Sequence, residues 1–238
     1  MLNYHPLLNL PSSIELPDSD DTPVDNELQN DVPNLLRAIL GLVWQDRQDW
    51  FFGVDMGIYH TTGANPRIPI IPDGFLSLGV ERHKSSRGRS SYVMWEEEYI
   101  APILVLEAIS QTYGNEYDEK MEKYANLGVL YYAIYNPDHW RRDKHEPLEV
   151  YRLVGRNYLL QSGEPFWLPE IGLGIGRDFG SFVGWEREWL YWFDRSGSRI
   201  STSEELAKQA KQSQQSAQKE IDRLTAKLIE LGIEPDQV

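Results

Sequence analysis

Apolar side chains at Leu28, Leu35, Leu36, Ile39, Leu40 and Val43 recur near a 3.6-residue period, which gathers them on one stripe of a helix. A helix is therefore expected over about 27–49, with Pro33 in its first turns. Three runs rich in β-branched and aromatic residues follow, at 50–59, 67–78 and 102–110, and read as strands, the second with prolines at its edges. Residues 116–127 then contain good helix formers and stop at Gly128, a residue suited to a left-handed cap. Residues 129–135 return to a strand pattern. Helix, three strands, helix, strand is the order of a compact α/β unit. Beyond it, short strands at 148–154, 158–161 and around Trp185, Trp189 and Trp192 are expected to extend the sheet and cover its edges.

The two ends have different patterns. Residues 1–26 place Pro11, Pro17 and Pro23 among Asp18, Asp20, Asp21 and Asp25; with so little apolar content they predict an extended acidic arm. From Ser203 the chain turns to Gln, Lys, Glu, Ala and Leu. Leu206, Ala210, Ser213, Ala217, Ile221, Leu224, Leu228 and Leu231 are spaced 4, 3, 4, 4, 3, 4 and 3. That is largely a heptad seam, with one local shift. Ala210, Ser213 and Ala217 leave its first half little to bury, so a pairing helix is expected mainly toward Ile221–Leu231, as part of a homodimer or as a solvated tail. The resulting division is an arm at 1–26, an α/β domain at 27–200 and a helical coiled-coil tail at 201–238.

Composition narrows the chemistry. The 238 residues contain no cysteine, which removes disulfides, thiolate metal sites and cysteine nucleophiles and agrees with a reducing compartment, so a cytoplasmic protein is expected. Any metal must be held by oxygen or histidine nitrogen. No run approaches the roughly 18 apolar residues of a membrane span, and no basic-then-apolar leader opens the chain. A net charge of −14 argues against binding nucleic acid by bulk electrostatics. Much of that charge lies at the ends, however, with seven acids and no Lys or Arg in residues 1–31, and the middle is only mildly acidic.

Against this background Glu107 is the most informative residue. It interrupts Ile103-Leu104-Val105-Leu106-Glu107-Ala108-Ile109, where alternation puts it on the face of Val105 and Ile109. A carboxylate buried there costs several kcal/mol, roughly, unless it is paired or binds a cation; a strand-end glutamate paired with an arginine is the ordinary alternative. Asp73, in Ile70-Ile71-Pro72-Asp73-Gly74-Phe75, also fits a plain turn. Two acids on neighbouring strands with a lysine nearby can hydrolyse phosphodiesters. The acids hold Mg²⁺ or Mn²⁺, and the lysine positions or helps deprotonate the attacking water. The lysine usually stands two residues after the second acid, where this chain has Ile109. Glu116, Lys120, Tyr124 and Gly128 fall at four-residue intervals and share a helix face, so Lys120 is placed to point back at Glu107. A surface Glu116–Lys120 pair is the alternative.

"IPDGFLSLG", "APILVLEAIS" and "NEYDEKMEKYANLGVLYYAIYNPD" together resemble the Uma-two family of restriction endonuclease-like proteins, built on the PD-(D/E)XK fold. The resemblance extends over about 25–200. It implies a mixed sheet flanked by helices, a Mg²⁺-dependent nuclease acting on DNA, Asp73 and Glu107 as metal ligands, Lys120 as the lysine displaced onto the helix, and Glu116 as a supporting charge. Glu116 stands where members usually have Asp, and Gln111 where they usually have Pro. Glu27 is a further candidate acid, although an acid in a first helical turn also compensates the helix end. The basic loop 82–89 and the turn 140–145, where Trp140 adds a stacking surface, are the candidate nucleic-acid contacts, with an ordinary solvated basic loop as the alternative. The five scattered histidines are assigned no role.

Overall fold

A computed structural model describes residues 10–17, 26–84, 86–109 and 115–231. Residues 1–9 and 18–25 of the expected arm, and Gln111, lie outside them. The chain divides into two units, Met1–Arg199 and Ile200–Val238.

The first unit begins with α1, Glu27–Val43, capped by the Asn26 side chain, which accepts from the amides of Leu28 and Gln29. It ends six residues before the expected boundary. There Trp44 packs its ring edge-on against Trp50, under the Arg47 guanidinium. Strands β1 (Trp50–Val54) and β2 (Ile58–Tyr59) come from the first expected run, which is split where Asp55 takes a positive φ of 45°. Of the second run only β3, Gly74–Leu78, joins the main sheet; Ile70 merely bridges to Ile58. After β4 (Tyr92–Val93) come β5 (Leu104–Ala108), α2 (Glu119–Leu127), β6 (Tyr131–Tyr135), the short α3 (Trp140–Asp143), β7 (Leu148–Val154) and β8 (Asn157–Leu160). Gly128 closes α2 in the left-handed conformation, φ 85°, as its sequence position suggests.

The main sheet has six strands in the order β1-β3-β5-β6-β7-β8. All neighbours are antiparallel except β5 and β6, which run parallel across the α2 crossover. The architecture is thus mixed α/β with a mostly antiparallel sheet. Strands β9 (Phe166–Leu168), β10 (Leu173–Phe182) and β11 (Trp185–Phe193) depart from expectation: they form a separate three-stranded sheet instead of extending the first. That sheet packs on α1, where the buried Trp192 indole donates to the Leu36 carbonyl at 3.0 Å. Described residues of the arm are anchored too, since the Trp95 indole donates to the Pro11 carbonyl and the Tyr59 hydroxyl to that of Pro17.

Alternation along β5 decides what faces what. Val105 and Ile109 join Phe75, Tyr124, Val129, Tyr132 and Ile134 in the core beneath α2, so Glu107 faces α2 as well. On the α1 side the approach is tight at Gly74, where an added Cβ would lie 2.8 Å from the Pro33 ring. Gly74→Ala is therefore expected to cost about 1–3 kcal/mol, lowering Tm by roughly 2–4 °C per kcal/mol in a thermal melt, and to displace the neighbouring Asp73.

The second unit is α4, Ser203–Glu230, opened by a capping box in which Thr202 and Glu205 exchange side chain-to-amide bonds of 3.2 and 2.9 Å. No residue of this 28-residue helix is buried, and Leu206, Ile221 and Leu224 of the expected seam are exposed. No helix among the described residues is long and apolar enough to cross a membrane.

Candidate active site

Three elements bring the site together. Asp73 immediately precedes β3, Glu107 is the fourth residue of β5, and Lys120 is in the first turn of α2. Glu107 is 1% exposed. Its Oε2 accepts from Lys120 Nζ at 3.0 Å and its Oε1 from the Tyr124 hydroxyl at 2.5 Å. The buried carboxylate is therefore paired, with a lysine where the ordinary alternative would place an arginine. Asp73 Oδ2 accepts from the amide of Ala108, the residue after Glu107, at 2.6 Å. That bond ties the first acid to the strand carrying the second.

Glu116 completes the group, with Oε1 3.3 Å from Lys120 Nζ. It lies in the turn before α2 rather than inside the expected helix, and its carbonyl is held by the Tyr132 hydroxyl at 2.8 Å. The four-residue spacing still pairs the side chains, because the turn leads directly into the helix.

The electrostatics are those of negative charge crowded around one cation. Burial, then repulsion from Glu107, pushes the Asp73 carboxyl well above the usual range, against the Ala108 amide and Lys120. Burial also raises Glu107, although Lys120 and the Tyr124 hydroxyl pull in the other direction. Burial alone would lower the Lys120 ammonium, but Glu107 and Glu116 outweigh it and hold the group above its ordinary value. Lys120 is thus a persistent cation at neutral pH.

Two contributors were not singled out for the site from sequence. Tyr124 was legible only as a member of the Lys120 face; in the fold it fixes one oxygen of Glu107. Gln29 of α1 reaches the Ala108 carbonyl at 3.4 Å, and nothing local in the sequence marks it. Glu27, the α1 acid considered above, instead lines a cleft of about 740 Å³ with Asp31, Phe182 and Trp185.

Tyr124→Phe leaves a buried carboxylate oxygen short of a donor. The expected cost is about 1–3 kcal/mol in a denaturant titration.

A family model described as "Putative restriction endonuclease", Uma2, matches residues 19–178. The chain belongs to the Uma2 family. Asp73, Glu107, Glu116 and Lys120 all fall inside the matched span, as do β1 to β8, whereas β11 and α4 lie beyond it. No curated protein and no solved structure matches the chain.

The basic segments of this Uma2 protein are more occupied than their composition suggests. Arg89, its side chain 3% exposed, and Lys84 both bind the buried Glu97 at 2.9 Å. Arg82 stacks on Trp50, with its guanidinium 3.8 Å from the ring centroid. In the second segment Arg141 stacks on Trp140, Arg142 pairs with Asp143, and His145 stacks on Tyr117 and bonds Glu149. Much of the charge in these segments holds the fold together.

Proposed function

We propose that this protein is a Mg²⁺- or Mn²⁺-dependent endonuclease that hydrolyses phosphodiester bonds in DNA at Asp73, Glu107, Glu116 and Lys120. The observation carrying this reading is the convergence of Lys120 on the buried Glu107, on the strand whose next amide binds Asp73. A surface lysine, a turn aspartate and a strand-end glutamate have no reason to meet; a phosphodiesterase site does.

The donor set fits the metal. Among the described residues there is no group of three or more His, Cys, Asp or Glu that could hold an ion. Mg²⁺, however, is commonly held by one or two carboxylates while keeping several waters. Asp73 and Glu107 would be its protein ligands. The lone pairs of Glu107 are not exhausted by single bonds from Tyr124 and Lys120. A bound ion would supply charge stabilisation at the phosphate and a lowered pKa for water.

The chain's own groups have separable roles. Lys120, kept protonated by Glu107 and Glu116, serves as a donor that orients the water and offsets charge developing on the phosphate, not as its base. Tyr124 and the Ala108 amide hold the two acids in place. Incubating supercoiled plasmid with the protein tests this directly: nicking is expected with Mg²⁺ or Mn²⁺ and not with EDTA, and nicking that survives EDTA contradicts it.

A second reading is a non-catalytic module on the same scaffold, assembling as a homodimer through α4. Two observations favour it: the internally engaged cations of segment 82–89 and the exposed seam of α4. Retained fold without Mg²⁺ binding would support this reading over the first.

A further inference from the structure

We propose that β8 is a self-pairing edge that joins the main sheets of two copies of this chain. The proposal is independent of the catalytic reading. The six-stranded sheet ends on β1 at one side and β8 at the other, and the two edges differ. In β1, Trp50 and Phe52 are 1% and 2% exposed, whereas in β8 Leu159 and Leu160 are 52% and 56% exposed, beside Val154 at 51% at the end of β7. Natural edge strands are blunted with Lys, Pro, bulges or a covering element. Asn157-Tyr158-Leu159-Leu160 carries no charge and no proline, and its register with β7 is unbroken.

The ladder shows which main-chain groups face outward. Val154 pairs with Asn157, Arg152 with Leu159, and the Gln161 amide donates to Val150. Because antiparallel pairs alternate between bonded and non-bonded, Asn157, Leu159 and Gln161 direct their amides and carbonyls toward β7. Tyr158 and Leu160 direct theirs away from the sheet, where no bond to a described residue meets them. The strand is also held in place, since the Tyr158 hydroxyl donates to the Val129 carbonyl at 2.7 Å.

Unpaired amides and carbonyls on an extended strand call for another strand, and this strand complements itself. About a twofold axis at Leu159, Tyr158 faces Leu160 of the other copy twice over, for about four main-chain bonds. Leu159 then meets its own copy at the close non-bonded position, and Leu160 lies beside the partner copy's Tyr158. The chain carries a net charge of −14, and the strand Asn157-Tyr158-Leu159-Leu160 brings none of it to the contact.

The test is sedimentation velocity of the full chain over a concentration series, with hydrogen exchange of residues 157–161. Two variants of the full chain separate the interfaces: Leu159→Lys/Leu160→Lys on β8 and Ile221→Lys/Leu224→Lys/Leu228→Lys on α4. The wild type should dimerise, and its Tyr158 and Leu160 amides should exchange about tenfold or more slowly in the dimer than in dilute monomer. The β8 variant should raise the dimer Kd about a hundredfold, while the α4 variant keeps the amide protection. If the β8 lysines unfold the chain, Leu160→Pro removes one outward amide, leaves the ladder to β7 intact, and should weaken the dimer alike. A monomer at every concentration, or a dimer whose β8 amides stay unprotected or whose Kd ignores the β8 variants, overturns the proposal.

Discussion

Lys120→Ala is expected to cut Mg²⁺-dependent plasmid nicking by about 10²–10⁴-fold. Two losses combine. The cation that contacts both Glu107 and Glu116 disappears, and with it the charge offset on the phosphate and the donor that orients the water. Glu107, buried and left with the Tyr124 hydroxyl, then takes up a proton more readily and becomes a poorer metal ligand. Because protonation relieves the unpaired charge, the fold should survive, with far-UV circular dichroism close to wild type. Equal nicking by the folded variant would remove Lys120 from the mechanism.

Asp73→Asn should lower activity and raise stability together. In the metal-free protein an ionised Asp73 is desolvated by burial and repelled by Glu107. The asparagine oxygen can still accept from the Ala108 amide without carrying that charge. The variant is expected to be more stable than the wild type by about 1–2 kcal/mol in EDTA, a rise in Tm of roughly 2–4 °C per kcal/mol. The pH dependence fixes the sign. Because the folded pKa of Asp73 is raised above its unfolded value of 3.8, protonation favours the folded state. Its contribution is fully present below the unfolded pKa and is lost as pH rises through the folded one. The advantage of Asp73→Asn should therefore grow as pH rises through the folded pKa of Asp73 and shrink as acid protonates it. An Asp73→Asn protein that is less stable at neutral pH in EDTA would contradict the crowded-charge account.

Much of the fold was legible because the physics that fixes it is local. The period of Leu28 to Val43, the terminator Gly128 and the alternation of β5 each announce an element within a few residues. Boundaries failed where long-range packing overrides local pattern: α1 stops where Trp44 turns onto Trp50, and the first strand run breaks at Asp55. The separate β9–β11 sheet was not legible, because short apolar strands do not reveal which sheet they join. In the site, Glu107 announced itself as a charge in an apolar run. Asp73 and Lys120 needed the family's spacing, and Gln29 had no sequence signal because its contact is between α1 and a distant strand. The basic loop misled for a related reason: composition counts Arg89 and Lys84 as available, while the fold spends them on Glu97, whose carboxyl burial would raise but these two partners hold below the usual range.

Asp73 and Glu107 are proposed as the metal-binding half of a hydrolytic site. Isothermal titration of Mg²⁺ into the wild type and into Glu107→Gln at neutral pH tests this most directly. A binding isotherm for the wild type that is abolished in the folded variant is the predicted result; no heat of binding in the wild type, or the same isotherm in both, would contradict it.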